Sequence, residues 1–230
     1  MTDPTRDSNA IAILGGTGDQ GLGLALRFAA AGRPVRIGSR KEGRALAAAE
    51  EVRAKVPGAV VTGHENADAT RRAEIVILSV PFEHTAGTIK GLGDALKPGH
   101  IVVSMGVPLA TAIGDGPVRM IGVWQGSCAE LVDTLVPDGV ATVSAFQNVA
   151  AHRLQHMPDP VECDVIISGE KGPRERVSEL CKLIPGMRAV NGGPLANARY
   201  VEGWTALLIG LNVRYKVPEG MGFRLTGLPE

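Results

Sequence analysis

Short apolar runs alternate with helix-patterned stretches along most of this chain. Ile11-Ala12-Ile13-Leu14 is a continuous apolar run closed by glycines, as expected of a central parallel strand covered on both faces. Leu22 to Ala31 is rich in Ala and Leu and stops at Gly32, the pattern of a helix with a C-terminal glycine. Val35 to Gly38 reads as a second strand, Gly43 to Lys55 as a helix broken by Pro57-Gly58, and Ala59 to Thr62 as a third strand. Ala67 to Ala73 is patterned as a helix, Ile75 to Val80 as a strand ended by Pro81, and Ile101 to Ser104 as a fifth strand. A helix over Ser127 to Leu135, strands over Ala141 to Phe146 and Val165 to Ser168, and helices over Arg174 to Leu183 and about Leu195 to Tyr215 complete the chain.

This order predicts an α/β fold: a Rossmann-type, doubly wound parallel sheet extended by a small C-terminal strand-helix part. Residues 1–10 read as a flexible leader and 11–230 as one domain, with 11–140 binding a dinucleotide and 141–230 completing a substrate cleft. Only about 85 residues follow the sixth strand, too few for a large all-helical second domain.

Composition narrows the function. The 24 basic and 24 acidic residues cancel, so no overall field draws the chain to nucleic acid or an anionic membrane. An aromatic content of 3% leaves few platforms for stacked bases. Cys128, Cys163 and Cys181 are odd in number and lack C-x-x-C spacing, so they read as reduced, buried thiols. The polar start and the absence of an apolar run of roughly 20 residues lead us to expect a soluble, cytoplasmic protein.

Gly16-Thr17-Gly18-Asp19-Gln20-Gly21 has the spacing G-x-G-x-x-G directly after a strand and at the start of a helix. The first glycine permits the tight turn, the second admits the pyrophosphate, and the third lets helix and strand pack closely. Free N–H groups at the helix start then meet the phosphates. About 20 residues on, where an NAD site places a carboxylate for the ribose, stand Ser39, Arg40 and Lys41, with Arg44 one helical turn later. Two cations and a hydroxyl suit the 2'-phosphate of NADP(H).

Gly15 to Gly21 together with Gly38-Ser39-Arg40 resembles the coenzyme F420-dependent NADP oxidoreductase family, the NADPH-dependent deazaflavin (F420) reductases. Val80-Pro81-Phe82-Glu83-His84 is similar to that family's Ile-Pro-Trp-Glu-His segment, Val107-Pro108 to the Val-Pro after its fifth strand, and Gly193 to Arg199 to the approach to its last helix. The resemblance runs from Ile11 to about Asn212. It implies hydride transfer between NADP(H) and the 5-deazaflavin coenzyme F420 as co-substrate, by holding two flat rings roughly 3 to 3.5 Å apart rather than by a catalytic dyad. It also implies that Val80, Pro81, Gly106 and Ala145 line the cofactor side, and that Val107, Pro108, Gln147, Val149, Gly193, Pro194 and Leu195 line the deazaflavin side. The family's His and Pro in Ser-Ala-Leu-His-Thr-Ile-Pro are replaced here by Gln147 and Ala150. Gln147 keeps hydrogen-bonding capacity but carries no charge.

Other candidates have plainer readings. His84 either touches the nicotinamide or substrate, or caps a helix. His152 and His156 have i, i+4 spacing but no third ligand in register, so no metal is expected. Trp124 reads as core packing, and Asn197 and Arg199 as a ligand contact or a helix start. Ser104 and Ser127 lack the G-x-S-x-G context of a nucleophile, and Ser127 with Glu130 has capping-box spacing. An NADPH-dependent reductase of a small imine or carbonyl, and a non-catalytic NADP(H) sensor, are the alternatives. A homodimer is expected, because a short chain stacking two large cofactors leaves apolar surface to cover.

Overall fold

The computed structural model describes residues 6–228. Five strands are joined by helical crossovers: β1 (Asp7–Leu14), β2 (Val35–Ser39), β3 (Val61–Glu65), β4 (Ala73–Leu78) and β5 (Ile101–Ser104). The helices of this part are α1 (Asp19–Ala30), α2 (Glu42–Lys55), α3 (Asn66–Arg71) and α4 (Phe82–Leu92). After them come α5 (Cys128–Leu135), β6 (Ala141–Ser144), α6 (Ala151–Gln155), β7 (Cys163–Gly169), α7 (Lys171–Lys182), β8 (Met187–Asn191) and α8 (Ala198–Tyr215).

One eight-stranded sheet carries the order β3-β2-β1-β4-β5-β6-β7-β8. The order reverses at β1 and β4, which creates the crevice beyond their C-terminal ends where such folds bind ligands. All neighbours are parallel except β6 and β7, which pair antiparallel through Val143 with Gly169 and Ser144 with Ser168. Side-chain alternation builds a core on each face. Ile11 and Ile13 pack with Leu24 and Phe28 of α1 and with Val52 of α2, continuous with Val165, Ile167 and Leu180 farther along the sheet. Ala12 and Leu14 face the other way, toward Ala69, Ile89, Leu92 and Val132.

Two expectations change here. Residues 1–5 of the expected leader lie outside the described residues, but Asp7 to Ala10 already belong to β1, where Asp7 pairs with Ala73. The polar start of that strand concealed it. Trp124 is fully exposed (100%) and fills no core; it stands in the loop between β5 and α5. The short α6 and the edge strand β8 were not anticipated. β8 has only five residues and shows weak alternation, while α6 is a single turn and a half held from outside by Arg27.

Candidate functional site

The turn after β1 has the geometry its sequence suggests. Gly18 is the N-cap of α1 and no side chain satisfies the first-turn N–H groups, so they face outward with the positive end of the helix dipole. Gly21 is required by close packing: a Cβ there would stand 2.7 Å from the Gly15 carbonyl oxygen and 2.8 Å from the Gly16 Cα. Gly18 lies on the walls of two cavities that meet at this turn, one on each side.

The cavity of about 290 Å³ runs from Gly15, Thr17 and Gly18 to Ser39, Arg40 and Arg44. Ser39 is buried at the end of β2, whereas Arg40, Lys41 and Arg44 are exposed. None of the ion pairs among the described residues uses these three cations. Lys41 points to neither cavity wall, and its backbone N–H donates to Ser39 Oγ at 3.3 Å. His84 lies on this cation-lined side, together with Asn66 and Thr88, and is absent from the wall around Gln147. Val80 and Pro81 line both cavities, so His84 stands on the same side of the crevice as those two residues. Its backbone N–H donates to Pro81 O at 2.9 Å in the first turn of α4. Asn66, whose Oδ1 is buried without a partner, is a polar wall residue that the pattern of the chain did not reveal.

The second cavity, about 330 Å³, gathers the loops after three strands: Val80 and Pro81 after β4, Gly106 and Val107 after β5, and Gln147 after β6. Gly18, Asp19 and Gln20 close one side, and Thr205 and Ile209 of α8 close the other. Gln147 is only 4% exposed; its Nε2 donates to Ser144 Oγ at 2.9 Å, and its Oε1 is buried with no partner. Phe146 before it has φ 67°, left-handed for a non-glycine residue. Ala145 and Val149 are buried, and Pro108 accepts the Ile121 N–H at 2.8 Å; none of the three is on the cleft wall.

Gly193, Pro194 and Leu195 are not brought to this cleft. They line a separate cavity of about 670 Å³ with Ala141, Thr142 and Arg174. The cause is the antiparallel pairing of β6 with β7: since β8 runs with β7, the segment after β8 emerges beside the start of β6, at the opposite end of the sheet from the cleft. Helix α8 then runs back and delivers Thr205 and Ile209. Sequence periodicity marks α8 as a helix but not which of its residues meets the cleft.

Behind the cleft sits a buried carboxylate. Glu202 on α8 is 1% exposed and accepts the N–H groups of Cys128 (2.9 Å) and Ala129 (3.1 Å) at the start of α5. Burial pushes its pKa up to about 7, against the pull of those two donors. Ser127 caps the same helix by accepting the Glu130 N–H at 3.0 Å, and Arg199 pairs with Glu130 at 2.9 Å. Asn197 donates to Gly192 O at 2.7 Å, so both residues at the start of α8 have structural partners. Cys128 is also pushed up, to about 11 by burial, so it is a protonated thiol at neutral pH. All three cysteines are free and buried. His152 and His156 stack with ring centroids 6.0 Å apart, and no group of three or more metal-ligating side chains occurs among the described residues.

Comparison with known proteins bears on this arrangement. The model of a family described as NADP oxidoreductase, coenzyme F420-dependent, matches residues 10–108. A Methanocaldococcus jannaschii protein named F420-dependent NADP reductase is 47% identical over 223 residues, covering 95% of this chain and 98% of that one. A Methanothermobacter marburgensis protein of the same name is 41% identical over 224 residues, covering 96% and 99%. Among solved structures, a crystal structure from Arthrobacter sp. fb24 shares the fold with a TM-score of 0.78 at 23% identity, covering 94% of this chain and 98% of that one.

Proposed function

The chain belongs to the F420-dependent NADP reductase family, and from that premise we propose how its own residues divide the work of hydride transfer between NADP(H) and coenzyme F420. It is an oxidoreductase with NADP(H) and F420 as its two substrates. The observation that carries the assignment of residues is the pair of cavities meeting at Gly18, one lined by unpaired cations and the other by three strand-end loops.

Thr17, Gly18 and Asp19 at the start of α1 hold the pyrophosphate through backbone N–H groups. Ser39, Arg40 and Arg44 hold the 2'-phosphate; β2 itself ends without a carboxylate, although Glu65 stands beside Ser39 on β3. Val80, Pro81 and Gly106 present an apolar surface to the nicotinamide, while Val107, Gln147, Thr205 and Ile209 receive the deazaflavin. The nicotinamide and deazaflavin supply the redox chemistry themselves; the protein's part is to stack them face to face, exclude water and fix their separation. Gln147, which lines the cleft, orients the deazaflavin through its uncharged side-chain amide.

An absorbance assay with NADPH and oxidised F420 tests this reading. Rapid loss of deazaflavin absorbance with NADPH, and little with NADH, is expected. NADPH binding without bleaching overturns it.

The functional unit is a homodimer. Exposed Tyr200, Leu207, Val213 and Tyr215 of α8, with Ile113, Val118 and Trp124 of the loop after β5, form apolar surface that a second copy covers. Sedimentation at twice the chain mass of 24.0 kDa is the expected result, and a monomer overturns it. A cytoplasmic location fits the three free thiols, and zero formal net charge argues against nucleic acid as a partner. No helix of the described residues is long and apolar enough to cross a membrane.

A further inference from the structure

Gln20 falls inside the phosphate-binding motif, yet its side chain turns away from that task. Its Nε2 donates to two backbone carbonyls of the loop after β6, Phe146 O at 3.1 Å and Val149 O at 2.9 Å. Both amide protons are thus committed to a segment more than 120 residues distant in sequence. That segment needs holding. Phe146 is buried in a left-handed conformation, which persists only when the surroundings impose it, and the next residue is Gln147, which lines the cleft and whose Oε1 is buried without a partner. The Phe146 ring meets Phe28 of α1 edge to face at 6.2 Å, so the same helix grips the loop by side chain and by backbone.

The neighbouring α6 is attached to α1 independently. Arg27 donates to the carbonyls of Leu154 (2.8 Å), Asp159 (2.8 Å), Arg153 (2.7 Å) and His156 (2.9 Å), and Gln155 donates to Asp19 O at 2.7 Å. Gly23 lets the two helices close, since a Cβ there would stand 2.6 Å from the Leu154 Cβ. Removing the Gln20 amide therefore releases the Phe146 and Val149 carbonyls while α6 stays docked and Asn148 keeps its hydrogen bonds to Cys163 Sγ at 3.2 Å and Asp164 O at 2.9 Å.

We propose that Gln20 is a positioning residue for the second substrate, acting through Gln147, and not a ligand of the dinucleotide pyrophosphate. Its two hydrogen bonds set the loop conformation that places Gln147 on the cleft wall. The inference rests on the deazaflavin reading above for the identity of that substrate, but the loop geometry stands apart from it.

The test compares the whole protein with Gln20→Met, which keeps side-chain length and removes the donors. Arg27→Met serves as a control that loosens α6 without touching the loop carbonyls. For Gln20→Met the NADPH dissociation constant stays within about twofold, while KM for F420 rises about tenfold and kcat falls, the effect of losing one or two partly buried hydrogen bonds. Arg27→Met lowers Tm more and leaves that KM unchanged. Amide exchange at Val149, whose N–H donates to Phe146 O at 3.2 Å, accelerates about tenfold in Gln20→Met, a readout that needs no substrate. A weakened NADPH affinity with unchanged KM for F420 overturns the proposal. So does a KM shift of equal size in Arg27→Met, or unchanged exchange at Val149. Wild-type protein that fails to reduce F420 counts against the deazaflavin reading alone, and the exchange measurement then still decides the role of Gln20.

Discussion

The two ends of the sheet hold their ligand sites by opposite means. From β1 to the start of α2 the wall is built by neighbours in sequence: a strand, a glycine turn and a helix start, whose polar groups are backbone and whose cations lie exposed and unpaired. From β6 to α8 the elements behind the wall are held by buried or partly buried polar side chains that reach across the chain. Asp164 on β7 is 0% exposed and accepts Arg188 at 2.7 and 2.6 Å, Arg224 at 2.9 Å and the Leu225 N–H at 2.7 Å, which ties the segment after α8 to the sheet. Arg224 also pairs with Glu162. Glu202 does the same for α5, and Gln20 for the loop after β6. A site made of local backbone tolerates side-chain change. A site made of buried long-range partners responds to each loss with an unpaired group.

Asp164→Ala tests that contrast most severely. Breaking four hydrogen bonds to a buried carboxylate costs about 3 kcal/mol, moderated because both arginines are partly exposed and rehydrate. Chemical denaturation measures the loss. The wild type also has an acid limit. Burial pushes the Asp164 pKa up, but donors from Arg188, Leu225 and Arg224 outweigh this and hold it at about 2. Because the folded value lies below that of the unfolded chain, this stabilisation is present above roughly pH 4 and fades as pH falls toward 2.

At the cofactor end, Arg40→Asp is expected to weaken NADPH about a hundredfold and NADH by about twofold or less. It removes a charged donor and adds a like charge beside the phosphate, with no effect on Tm. Equal loss for both nucleotides, by fluorescence titration, breaks the assignment of the cations.

Glu202 gives an intermediate effect with a sign of its own. With its folded pKa raised to about 7, the native state keeps a proton that the unfolded chain releases near pH 4 to 5. Its contribution to stability therefore falls as pH rises from roughly 4.5 to 7 and is level above, a change on the order of 3 kcal/mol. The difference between wild type and Glu202→Gln, melted across that range, should carry this slope; a parallel pair of profiles removes Glu202 as its source. Lys41→Ala marks the small end: its side chain is exposed and off the cavity wall, so NADPH affinity should change by about twofold or less.

The same contrast explains what could be read from the chain. The G-x-G-x-x-G turn and the Ser39-Arg40 strand end follow from short-range patterns, while the loops carrying Val80, Gly106, Val107 and Gln147 were expected at the cleft from the family resemblance; a parallel α/β sheet places its strand ends on one edge. Thr205 and Ile209 were not legible, since the rotation of α8 about its axis depends on what packs behind it. Gly193 to Leu195 were expected at the cleft and lie elsewhere, because an apolar run does not reveal that β7 pairs antiparallel. His84 was assignable to the start of a helix but not to a side of the crevice.

By itself, then, the order of residues determined the fold class, the dinucleotide turn, the cations beside it and the family, because each depends on spacings within a few tens of residues. Tertiary structure decided where side chains such as those of Gln20, Glu202 and Asp164 go. Their partners lie between 24 and 129 residues away, and a buried polar group is satisfied by whatever the packed chain brings within hydrogen-bond reach.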